Sequence, residues 1–96
     1  MKKLVFEWDD NKNRINIRKH SISFDEAKTT FLDENAIIID DEAHSQDEER
    51  FIIIGISKNL HLLVVCHCFR DNERIIRIIS ARKANKYEES QYGGGV

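Results

Sequence analysis

Five side chains in the second half of the chain have the types needed to hold a phosphate and move protons: Arg50, His67, Arg77, Arg82 and Glu88. Arg77 and Arg82 interrupt the apolar run RIIRIISAR (74–82), where an unpaired guanidinium group is costly to bury. Lys83, Lys86 and Tyr87 follow at once. Imidazole, carboxylate and several cations together suit cleavage of RNA, which carries its own nucleophile in the 2′-OH. Such an enzyme needs a base for that proton, an acid for the leaving 5′-oxygen, and cations for the charge of the pentavalent phosphorane. His67 or Glu88 can serve as the base. Arg50, Arg77 and Arg82 can grip phosphate, best through two parallel N–H bonds. Tyr87 can stack on a base or carry a proton. The plainer account of each arginine is a surface or ion-paired residue.

Metal chemistry fits less well. In CHC (66–68), strand alternation sends Cys66 and Cys68 to one face and His67 to the other, so one ion cannot take all three. DDEAH (40–44) offers oxygens without the spacing of a calcium loop, and reads as a solvated acidic loop. No glycine-rich phosphate loop and no nucleophile elbow occurs. The expectation is no metal and no cofactor.

These residues need a scaffold. Ninety-six residues make one domain, with 1–92 as the folded unit and the GGGV of 93–96 as a flexible tail. A hydrophobic fraction of 41% and a charged fraction of 33% fit a globular chain. No apolar run approaches the roughly 20 residues that span a bilayer, and no leader pattern opens the chain, so the expected place is the cytoplasm, off the membrane. Cys66 and Cys68, one residue apart, read as free thiols. The net charge of −2 conceals segregation: basic residues dominate 1–24 and 50–86, whereas 25–49 is strongly acidic. A local basic patch attracts phosphate, unless the acidic segment folds back to neutralise it.

KLVFEW (3–8) reads as a strand, and Asp9 caps a basic helix through His20. Ser23 with Glu26 has the form of a capping box, opening a second short helix at 24–32. AIIIDD (36–41) is a strand and 42–49 a polar loop. RFIIIGIS (50–57), HLLVVCHCF (61–69) and RIIRIIS (74–80), joined by short turns, make an antiparallel meander. On 61–69, Leu62, Val64, Cys66 and Cys68 form a face apolar enough to be core, so His67 is expected to point away from it. The last helix is expected to begin at Ser80 or Ala81 and stop at Gly93–Gly95. That start would crowd Arg82, Lys83 and Lys86 at a helix N-terminus, against the helix dipole but suited to an anion. The order β-α-α-β-β-β-β-α is an α+β layout, two N-terminal helices and one C-terminal helix on an antiparallel sheet.

Motifs across almost the whole chain resemble the BrnT toxins of bacterial type II toxin–antitoxin systems. FEWDDNKNRINIRKHSISFDEA (6–27) is similar to that family's F-x-W-D-x-x-K-x-x-x-N-x-x-K-H-G-x-x-F-x-E-A pattern, with Ser21 in place of the glycine. HSQDEERF (44–51) is similar to its H-x-x-x-E-x-R segment. SARKANKYEESQY (80–92) is similar to its closing S-A-R-x-A-x-x-x-E-x-x-x-Y. The resemblance implies a RelE-like fold and a metal-independent ribonuclease that arrests translation. It implies a ribbon-helix-helix (BrnA-like) antitoxin, and DNA contact only through the antitoxin complex, which represses its own operon. Carried to matching positions, it favours Lys12, Lys19 and His20 beside Arg50, Arg77, Arg82 and Glu88, without dividing acid from base. Two other classes remain open. A degenerate toxin would keep only antitoxin binding and autorepression, and a plain RNA-binding protein would have no chemistry.

Overall fold

The computed structural model describes residues 3–93. Strand β1 (Val5–Glu7) leads to helix α1 (Asp10–His20) and helix α2 (Phe24–Ala27), which runs on as a 3₁₀ turn over Lys28–Leu32. Strands β2 (Ile37–Asp40), β3 (Phe51–Ile56), β4 (Leu62–Arg70) and β5 (Ile75–Lys83) follow, with a 3₁₀ turn Glu42–His44 between the first two, and α3 (Lys86–Gly93) closes the fold. The α+β order is the one the sequence implies. β2 to β5 form the antiparallel meander, and β1 adds in parallel to β5, so the sheet runs β1-β5-β4-β3-β2. Among the described residues no helix is long and apolar enough to cross a membrane. Gly93 ends α3 rather than opening a tail, and the remaining tail residues, 94–96, lie outside the described residues.

Local chemistry explains the ends of α1 and the start of α2. The Asp9 carboxylate accepts the N–H groups of Asn11 at 2.8 Å and Lys12 at 3.1 Å, satisfying donors that a helix leaves open. Arg18, Lys19 and His20 occupy the last turn, where the dipole favours cations. Ser21 ends the helix in the left-handed region at φ 61°, the conformation that glycine adopts without strain. Ser23 caps α2 through the Glu26 N–H at 3.0 Å. The Glu26 side chain turns elsewhere, accepting from the Ser57 hydroxyl at 2.6 Å and lying 2.8 Å from His61 Nδ1. Burial pushes the Glu26 carboxyl up, and those bonds more than offset it, leaving it below the usual range.

The core lies on one face of the sheet. Ile22, Phe24 and Ala27 pack there against Ile53, Leu63, Val65, Ile78 and Ala81. That reverses the expected faces of β4. Leu63, Val65 and His67 point into the helix layer, and Val64 and Cys66 point out of it. Strand alternation defines two faces but carries no sign, and both faces of β4 are rich in aliphatic residues. Three phenylalanines decide it: Phe31, Phe51 and Phe69 enclose the His67 ring at centroid distances of 4.8, 6.1 and 5.5 Å.

α1 presents a thin apolar face, and its only buried residue is Asn16. Among the described residues β1 pairs with β5 only over Ile75–Arg77, leaving the next stretch of that edge without a strand partner. Asn16 fills the gap. Its Oδ1 accepts the Ala81 N–H at 3.1 Å, and its Nδ2 donates to the carbonyls of Ala81 and Ile22, both at 2.8 Å. The side chain therefore replaces a missing strand, satisfying backbone groups that are costly to bury alone.

β5 runs three residues further than expected, to Lys83, and carries an irregularity. Cys66 pairs with Ser80 and His67 with Ile78, so Ile79 is an extra residue opposite the Cys66–His67 step. Arg77 and Arg82 are an odd number of residues apart and would fall on opposite faces of a regular strand. The bulge puts both on the outer face while Ile78 and Ala81 stay in the core.

Candidate functional site

The outer face carries a cleft of about 190 Å³. Ile52, Val64 and Ile79 line its apolar side, and Asp41, His44, Arg50, Cys66, Ser80 and Arg82 line the rest. His44 and Arg50 also line an adjoining cavity of about 460 Å³ with Gln46, Asp47 and Glu48. β3 begins beside Arg50, β5 delivers Ser80 and Arg82 after the bulge, and the 3₁₀ turn after β2 supplies His44.

Arg50 is the least committed cation here. Its Nε is buried without a hydrogen-bond partner among the described residues, and its Nη2 lies 3.8 Å from Glu48 Oε1, beyond hydrogen-bond length. Arg82 is held on two prongs: Nη1 to Glu88 Oε1 and Nη2 to Glu88 Oε2, both 2.7 Å. Glu88 in turn accepts the Asn85 N–H at 2.9 Å and returns its own N–H to Asn85 Oδ1 at 2.9 Å. This reciprocal capping box starts α3 five residues later than Ala81. Arg82 and Lys83 thus belong to β5, and of the three cations expected at the helix start only Lys86 is there. Glu88 and Glu89 share its first turn, as the dipole prefers, so the expected crowding of cations is absent. The Asn85-x-x-Glu88 spacing was the signal in the sequence for the true start.

The ion pair sets the charges. Hydrogen bonds from Arg82, together with one from the Asn85 backbone, hold the Glu88 carboxyl below its ordinary range despite partial burial. Both oxygens are occupied, so Glu88 positions Arg82 rather than standing open as a base. Cys66 faces the cleft with Sγ 3.5 Å from Asp41 Oδ2. Burial, and then the Asp41 carboxylate, push its thiol up to about 12, so it stays protonated and unreactive.

Asp41 is itself buried, and both its carboxylate oxygens lie 3.0 Å from His44 Nδ1. The Asp41 N–H donates to the Arg50 carbonyl at 2.9 Å, and the His44 N–H to the Asp41 carbonyl at 3.1 Å. In the sequence His44 stands out only as part of an acidic loop and of the H-x-x-x-E-x-R segment. Its pairing with Asp41 depends on the turn between them, which residue types alone did not reveal.

The remaining expected residues divide. Arg77 is on the outer face but outside the cleft, with Nη1 2.7 Å from Glu7 Oε2 on β1. His67 is not on the open surface expected of it. It is 0% exposed, its Nδ1 lies 3.2 Å from the Val65 carbonyl and its Nε2 has no partner. Burial holds its pKa below the ordinary histidine value, so a neutral ring sealed among phenylalanines replaces the expected base. Lys12, Lys19 and His20 lie along α1 and do not line the cleft. Tyr87, 69% exposed, and Lys86 stand on the first turn of α3, and Lys83 ends β5 on the surface.

A family model described as ribonuclease toxin, BrnT, of type II toxin-antitoxin system matches residues 8–88. The chain is also similar to the Brucella abortus ribonuclease toxin BrnT as seen in its crystal structure. The TM-score is 0.67 and the identity 22%, over 88% of this chain and 100% of that one. At that identity the likeness to the crystal structure is one of fold. No curated protein matches the chain.

Proposed function

The chain belongs to the BrnT family of ribonuclease toxins of type II toxin–antitoxin systems, and from this we propose that it cleaves RNA in the outer-face cleft and thereby arrests translation in the cytoplasm. One observation carries the reading: Arg50 and Arg82 line the same cleft, and Arg50 has a buried Nε with no protein partner. A phosphodiester bound there would supply the missing acceptor. Two guanidinium groups on one phosphate give the charge and geometry that a phosphorane requires. RNA contributes its own 2′-OH nucleophile, so the reaction runs without a metal ion and leaves a 2′,3′-cyclic phosphate and a 5′-hydroxyl. Lys86 and Tyr87, beyond the Arg82 end of the cleft, extend the path for the strand, and Lys83, whose position on β5 faces the other side of the sheet, is a more distant contact. Arg77, Lys12, Lys19 and His20 then act as outlying contacts for the RNA backbone. A ribbon-helix-helix antitoxin neutralises the toxin, and the pair represses its own operon through the antitoxin's DNA contacts.

The test is induced expression with and without the antitoxin, mapping of RNA 5′ ends, and incubation of purified protein with RNA in a chelator. Cleavage with cyclic-phosphate ends that persists in the chelator is the expected result. A second reading, that of a binding module without chemistry, is favoured by the closure of Arg77 on Glu7 and of Arg82 on Glu88. That module would bind antitoxin and leave every RNA intact.

A further inference from the structure

We propose that His44 is the proton-transfer residue of the cleft and that Asp41 is its positioning residue. The proposal rests on the reading of the cleft as an RNA-cleaving site. Arg50 and Arg82 carry guanidinium groups, which offer donors and no acceptor, so they hold phosphate rather than take a proton. Glu88 spends both oxygens on Arg82 and the start of α3. Cys66 remains a neutral thiol beside a carboxylate. His67 lies on the other face of the sheet.

His44 differs from all of these. Its side chain is 66% exposed, while the carboxylate behind it is only 9% exposed. With Nδ1 3.0 Å from both Asp41 oxygens, the neutral ring is fixed as the Nδ1–H tautomer, leaving Nε2 as an acceptor pointing away from Asp41. Asp41, itself buried, is held by the Cys66 thiol and by its own N–H to the Arg50 carbonyl, so the ring is oriented rather than free. His44 and Arg50 are the two residues common to the cleft and the adjoining cavity. A strand crossing from one to the other passes the acceptor nitrogen and the uncommitted guanidinium together.

The step balances. His44 Nε2 takes the proton of the 2′-OH, and the freed oxygen pair forms the O2′–P bond. The P–O5′ bond breaks with its electron pair on O5′, which takes a proton from water. The imidazolium then returns its proton to the hydroxide left behind. Arg50 and Arg82 neutralise the phosphorane between these events. The charged and titratable groups facing His44 are Asp41 on its own turn, Asp47 and Glu48 in the loop, Arg50 before β3, Cys66 on β4 and Arg82 on β5.

The experiment measures cleavage of a labelled mixed-sequence RNA, in buffer and in a translating extract, with kcat and KM determined separately. His44→Ala should bind RNA as wild type does, lose about 100-fold or more in rate, and recover part of it with added imidazole. Asp41→Asn should lower kcat and leave KM unchanged, because the ring loses the carboxylate that orients it, and Asp41→Glu should recover part of the loss. If Asp41→Asn unfolds, the exposed His44→Ala still decides the matter. A His44→Ala protein that cleaves at the wild-type rate overturns the assignment and leaves the ribonuclease reading standing. A folded wild type that cleaves nothing in either medium overturns both.

Discussion

The face of the sheet beneath α2 seals His67 among Phe31, Phe51 and Phe69. The other face leaves His44 at the mouth of a cleft with Asp41 behind it. Both faces are built from the same aliphatic strands, yet one has been filled with side chains and the other with charge. On the closed face each polar group meets a protein partner or is an isolated cost, as with His67 Nε2. On the open face the unmet groups, Arg50 Nε above all, stand beside a space that a ligand can enter. An unpaired buried polar atom therefore means different things on the two sides: strain where the walls are closed, and readiness where they are open.

If that contrast holds, changes on the closed face should cost stability and changes on the open face should cost activity. Asn16→Ala tests it hardest. It strips partners from the Ala81 N–H and carbonyl and from the Ile22 carbonyl. At about 1–3 kcal/mol for each buried group left unpaired, the loss should be on the order of 3–5 kcal/mol, read by denaturant unfolding. A loss below about 1 kcal/mol would mean that water replaces the side chain at the β5 edge.

Arg50→Ala is the counterpart on the open face. It removes a group that makes no hydrogen bond through Nε, so unfolding should shift by less than about 1 kcal/mol. RNA cleavage should fall by about 100-fold, in line with the removal of one donor to developing charge. A stable variant that retains full activity would place the phosphate elsewhere.

The sealed histidine is open to a test by pH. Burial lowers the His67 pKa, so the unfolded chain binds the proton more readily. The His67 contribution is intact above about pH 6.5 and is lost as pH falls below it, by at most about 1.4 kcal/mol per pH unit. His67→Leu should flatten that part of the stability curve and leave RNA cleavage unchanged. Loss of cleavage in a folded His67→Leu protein would bring the sealed face into the chemistry and break the contrast.

The smallest effect lies at Ser21, away from both histidines. Its positive φ strains any side chain, so Ser21→Gly should raise stability by about 0.5–1 kcal/mol with no change in activity. A destabilised glycine variant would show that the Ser21 side chain contributes more than its backbone strain costs.

Much of the scaffold was legible in the chain itself. Asp9 and Ser23 mark helix starts by capping chemistry, and the isoleucine- and valine-rich runs with short turns mark the meander, because both signals act within a few residues. Arg50, Arg82 and Glu88 were recognisable as a set by residue type. The start of α3 was missed because the apolar run of β5 ends in helix-compatible residues, although Asn85 with Glu88 marked it. The bulge at Ile79 was not legible, since it arises from pairing with β4 rather than from any local preference.

What the sequence determined by itself is therefore the order of elements, their caps, and the inventory of cations, carboxylates and imidazoles. What only the tertiary structure decided is which face of the sheet would be closed. Alternation is symmetric between the two faces, and the symmetry is broken by distant residues: Phe24 and Phe31 settling on one side, Glu88 and Asp41 on the other. That choice buried one histidine and exposed another, and neither outcome is written in the residues nearest to them.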